Sequence, residues 1–136
     1  MDSILKPALI DETLIHNVVH LFYKRVRQDP VLGPIFDGKI GDHWDLHLAR
    51  MVDFWSSVLL TTGRYSGRPH VLHQALDLEA SHFARWLGLF KTTVQDLCAG
   101  EAETLFLGRA RQIAASLQAG CGIFPYADYN TQGSGQ

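Results

Sequence analysis

Imidazoles and polar aromatic rings are the side chains best suited to chemistry here, and their order along the chain is informative. His73 stands thirteen residues before Trp86, which lies in the run His82-Phe83-Ala84-Arg85-Trp86-Leu87-Gly88-Leu89-Phe90. Upstream come Phe22-Tyr23-Lys24-Arg25-Val26-Arg27, then Leu32-Gly33-Pro34-Ile35-Phe36, then Trp44-Asp45-Leu46-His47. This order sets one candidate metal-ligating imidazole and a few polar rings in an apolar interior, and an apolar cleft with a few convergent polar groups is what a cofactor pocket requires.

Other chemistries find less support. His16/His20 and His43/His47 are spaced by four and His70/His73 by three, so each pair shares one side of a helix. The zinc-protease pattern needs Glu directly after the first His, and Asn17 and Trp44 occupy those positions. No cysteine pair has zinc spacing, so these pairs read as ordinary histidines. There is no Gly-rich phosphate loop after a strand and no nucleophile elbow. Asp53 and Glu79 have no obvious carboxylate partner.

The elements that must position these residues are helical. Asp11 is a suitable N-cap, and Leu14, Ile15, Val18, Val19, Phe22 and Val26 then recur at three- and four-residue spacing. Tyr23 falls at the edge of that stripe. The helix should stop at Asp29-Pro30. Residues 30–41, with Pro30, Gly33, Pro34, Gly38 and Gly41, read as a turn-rich connection. A second helix, capped by Asp42, runs to about Leu60 and puts Trp44, His47, Leu48, Met51, Trp55 and Val58 on one face. Residues 61–69 read as a loop and 70–76 as a short turn of helix. A third strong pattern covers 81–98 through Phe83, Trp86, Leu87, Phe90, Val94 and Leu97. A last helix from Glu101 uses Leu105, Phe106, Ile113 and Leu117, and Gly120 ends it. No alternating strand pattern or internal repeat is visible. The class is all-α, with four substantial helices and one short one.

Composition narrows the setting. At 136 residues the chain reads as one domain, residues 1–124, with a flexible C-terminal tail at 125–136. A hydrophobic content of 46% against 19% charged supports a buried core rather than disorder. The formal net charge of −2 and the small Lys24, Arg25, Arg27 group give no nucleic-acid footprint. No run of about 18 apolar residues suggests a membrane span, and no secretory signal is visible. Cys98 and Cys121 read as reduced thiols, so a soluble cytoplasmic protein is expected.

FYKRVRQDPVLGPIF (22–36), HWDLHLARMVDFWSSVLL (43–60), GRYSGRP (63–69) and HFARWLGLF (82–90) together resemble the truncated haemoglobins, bacterial two-over-two globins, and within them the third group. The resemblance covers about residues 11–118. It implies a truncated two-over-two helical sandwich around a non-covalent haem b, since Cys-x-x-Cys-His is absent. His73 takes the position of the proximal iron ligand, with His70 as competitor. Tyr23, His47 and Trp86 take the distal positions that face a ligand. Phe36, Met51, Phe54, Trp55 and Phe83 take pocket positions, and Arg64, Tyr65 and Arg68 are candidates for the haem propionates. The ligands implied are oxygen, nitric oxide, carbon monoxide and cyanide. Two roles follow from the resemblance: tight oxygen binding, or an enzyme turning over nitric oxide with oxygen or reducing a peroxide. The second needs an external reductase, because no flavin or nicotinamide domain is visible. An all-α interaction module with an aromatic docking face is the reading without haem.

Overall fold

The computed structural model describes residues 6–65 and 78–120. Five helices and no strands occur among them: α1 Glu12–Gln28, α2 Leu32–Ile40, α3 Trp44–Leu60, α4 Ala80–Leu97 and α5 Gly100–Gly120. Arg68, His70, His73 and the tail from 121 lie outside the described residues. α1 packs on α2, α3 and α4, while α5 packs mainly on α4 and more lightly on α3. α1 and α3 therefore form one layer over α4 and α5. Residues ahead of α1 reach the turn between α4 and α5, where Pro7 and Ala8 carbonyls accept from the N–H groups of Ala99 and Ala102.

α1 forms as its sequence predicts. Asp11 caps it by accepting the Leu14 N–H at 2.8 Å. The expected face, Leu14 through Val26, is buried throughout. Tyr23 is only 3% exposed, so it belongs to the interior rather than the edge. α2 and α3 supply its cover, with Phe36, Trp44 and His47 around its ring. Two cations of the Lys24, Arg25, Arg27 group are paired: Arg25 with Asp96 of α4, and Arg27 with Asp37 of α2.

The turn-rich connection expected over 30–41 is instead largely helix α2, and three local features explain it. Asp29 Oδ2 accepts from the N–H groups of Val31 and Leu32, satisfying donors that a helix start leaves free. Pro34 falls in the first turn, where its missing N–H removes no intrahelical bond. A Cβ at Gly33 would stand 2.5 Å from the Arg27 carbonyl oxygen, so glycine is what lets α2 approach the end of α1. Gly41, at φ +57°, then ends the helix in the left-handed region.

Asp29 also accepts from Arg85 Nε of α4 at 2.7 Å. Arg85 chiefly, with the Leu32 and Val31 N–H groups, holds its carboxyl below the usual carboxylate range. The folded pKa is thus below the unfolded one. The resulting stability is complete above the ordinary aspartate value, near 3.9, and is lost as pH falls through the folded value. Asp29→Asn is expected to lower stability by about 1 kcal/mol at pH 7, because two of its bonds go to neutral backbone donors and Arg85 is largely solvated. The gap from wild type should close below about pH 4. Melting curves from pH 7 to pH 3 check this, and a gap independent of pH contradicts it.

Candidate functional site

Aromatic rings from four helices meet at the centre of the molecule. Phe90 of α4 stacks on Trp55 of α3 at 5.2 Å and on Trp86 at 6.0 Å between ring centroids. Phe22 of α1 meets Phe90 edge-on at 5.1 Å, and Phe106 of α5 closes the other side at 6.2 Å. Trp55 therefore packs inside the four-helix core, with Phe54 beside it. α5 enters this core through Ala102, Phe106, Ala110 and Ala114, all buried; Leu105, expected there, is 42% exposed.

A second cluster adjoins the first and carries polar atoms. Tyr23 lies edge-on to His47 at 4.8 Å, 5.9 Å from Trp44 and 6.4 Å from Phe36. His47 is 8% exposed and its Nε2 is shut off from solvent. Met51, one turn further along α3, is buried as well. Burial pushes the Tyr23 hydroxyl above the ordinary phenol range, so it stays protonated and keeps its donor. Phe22 touches both Tyr23 and Trp86, at 4.8 and 5.5 Å. Phe36 joins the two groups, because it also lines a narrow apolar crevice with Leu32, Leu78, His82, Phe83 and Trp86.

Trp86 is the most telling member. Its indole N–H is buried and has no hydrogen-bond partner among the described residues. Such a donor costs about 1–3 kcal/mol if left unmade. A bound group that accepts from it removes that penalty. His82 is differently placed: its Nδ1 accepts the Glu79 N–H at 2.9 Å, which fixes the start of α4.

The far end of α3 fixes the chain that leads toward residues 66–77. Thr61 closes α3 in the left-handed region, and Ser56 and Thr62 hydroxyls lie 2.6 Å apart. The Tyr65 N–H donates to Ser57 Oγ, and the Tyr65 ring meets Phe54 edge-on at 5.3 Å. Arg64 grips both carboxylate oxygens of Glu12 at 2.9 and 3.0 Å and Asp53 at 3.0 Å. Its guanidinium thus joins α1 to α3.

The structure brings Tyr23, His47, Met51, Phe36, Phe83 and Trp86 to adjoining parts of one interior. Sequence reasoning did not single out Trp44 or Phe22 as site residues. Trp44 meets His47 edge-on at 5.5 Å and is held by Asp37, which accepts its indole N–H at 2.8 Å, with Arg27 over its ring. Its three-residue spacing from His47 was the available signal. Phe22 was legible only as core.

Two helical layers around an aromatic interior with buried polar donors fit a globin, and similarity to known proteins places the chain in that class. The bacterial-like globin model matches residues 10–117. The chain is 35% identical over 120 residues to the group 3 truncated hemoglobin ctb of Campylobacter jejuni subsp. jejuni serotype O:2, covering 84% of this chain and 93% of that one. The crystal structure of a group III truncated hemoglobin from Campylobacter jejuni superposes with a TM-score of 0.75 at 34% identity, over 83% of this chain and 92% of the other. The chain belongs to the bacterial-like globin family and, within it, to the third group of truncated haemoglobins. Membership implies haem and ligand binding. Among the described residues no helix is long and apolar enough to cross a membrane.

Proposed function

We propose that the chain holds a non-covalent haem b through His73 and binds oxygen and other diatomic ligands beside Tyr23, His47 and Trp86. The observation that carries this reading is the buried Trp86 indole N–H with no partner among the described residues. Bound haem supplies the iron on which such ligands are taken up. Tyr23, protonated at any ordinary pH, and Trp86, which can only donate, both suit a polarised acceptor. His47 either donates as a third group or swings aside as a gate. Phe36, Met51, Phe54, Trp55 and Phe83 keep the surroundings apolar and dry, which strengthens each polar contact.

For the haem carboxylates, Tyr65 and Arg68 are the better donors. Arg64 reaches one only by releasing Glu12 or Asp53. His73 should direct its second ring nitrogen to a backbone carbonyl or carboxylate, which fixes its tautomer.

Removing either distal donor tests the proposal. A hydrogen bond to a charged or strongly polarised acceptor contributes roughly 1.5–3 kcal/mol. Tyr23→Phe and Trp86→Phe should each speed oxygen dissociation by about ten- to a hundredfold. Carbon monoxide, less polarised, should change much less. His47→Leu should have a smaller or opposite effect if His47 is a gate. Dissociation rates of both gases measure this, and unchanged oxygen release in both aromatic variants removes the distal part of the proposal.

A further inference from the structure

A cleft of about 430 Å³ opens between α1 and α3, and nothing in the haem reading uses it. One wall carries His16 and His20. The other carries Asp45, with Leu48 and Val52 forming an apolar floor. His16 and His20 are one helical turn apart and their rings stack, with centroids 3.9 Å apart and planes 18° from parallel. Asp53, at the cleft's edge, is already paired with Arg64. Asp45 has no ion-pair partner among the described residues.

Stacked imidazoles are a poor place for two protons, because the charges would lie within van der Waals reach. Burial, and then the neighbouring His16, hold His20 below the usual histidine range, with Asp45 pulling the other way. Side chains four apart on a helix have Cβ atoms about 5–6 Å from each other. Splaying the two rings lets one nitrogen from each approach a single ion at about 2.0–2.1 Å.

We propose that His16 and His20 form a two-imidazole site for a divalent transition-metal ion such as zinc, with Asp45 across the cleft balancing its charge. Among the described residues no set of three or more His, Cys, Asp or Glu is poised as a cage. Water must complete the shell, and the site is open and exchangeable rather than structural. Two nitrogen donors suit zinc, nickel and copper and do not suit magnesium or calcium. Sequence spacing alone leaves this pair equivalent to His43/His47. The fold distinguishes it by placing it in a cleft, opposite a carboxylate.

Calorimetric titration of the full-length protein with Zn²⁺, and separately with Mg²⁺, tests the site. One zinc equivalent should bind and magnesium should not compete. His16→Ala and His20→Ala should each weaken zinc binding by at least about tenfold, since losing even an outer-shell partner of a metal typically costs 10–100-fold. His43→Ala should leave it unchanged. The double variant His70→Ala/His73→Ala should retain it too, which keeps the result separate from whether haem binds. Absence of zinc binding overturns the proposal. So does binding that survives both His16→Ala and His20→Ala, or binding that is lost with His70 and His73.

Discussion

His73→Ala should yield a protein that no longer retains haem, or one whose haem is recovered only when free imidazole is supplied. Haem held without thioether links depends on its axial ligand and on the surrounding apolar contacts. Removing the ligand leaves the contacts alone. The assignment of His73 rests on the family resemblance, in which the proximal histidine lies ten residues before Phe83. His70, three residues earlier, is the alternative. Haem content and the ferrous–carbon monoxide spectrum of His73→Ala and His70→Ala separate the two. A normal spectrum in His73→Ala with haem lost from His70→Ala moves the ligand to His70.

Phe90→Ala should cost about 3–5 kcal/mol of stability, the range for removing a large buried aromatic. Phe90 is 1% exposed, and its ring contacts Phe22 of α1, Trp55 of α3 and Phe106 of α5. It is where both layers meet, so the surrounding rings cannot collapse inward without moving more than one helix. Total stability of a domain is only about 5–15 kcal/mol, so the variant is expected to be close to its unfolding limit. The melting temperature should fall by roughly 10–20 °C. Phe90→Leu, which keeps an apolar side chain in place, should lose less. A loss below about 1 kcal/mol in urea unfolding of Phe90→Ala contradicts the packing described.

The helices with large apolar residues at three- and four-residue spacing were legible in the sequence. α1, α3 and α4 appear within a residue or two of their expected limits. α2 was not legible, because Pro34 and three glycines near it read as punctuation. What makes it a helix is local but positional: the Asp29 carboxylate at its start, and the contact of Gly33 with the end of α1. The core face of α5 was legible only in part, with Phe106 and Leu117 buried as expected. Its buried stripe is mostly alanine, which carries little weight in a hydrophobic pattern, while the larger Leu105 faces out.

For the site, sequence periodicity placed Tyr23, His47 and Trp86 on helices but could not say that those helices meet. Tyr23 and Trp86 are far apart in the chain, and Phe22 and Phe36 connect them only in the folded molecule. The joint role proposed for them rests on the resemblance. The buried indole N–H of Trp86 adds a physical reason that spacing could not supply.

Whether this globin holds haem is read from the absorption spectrum of the purified protein after reduction, with and without carbon monoxide. The protein should be red, with a Soret band that shifts sharply when carbon monoxide is added, and its haem should be released by acid–acetone. A folded, colourless protein that takes up no added haem would contradict haem binding.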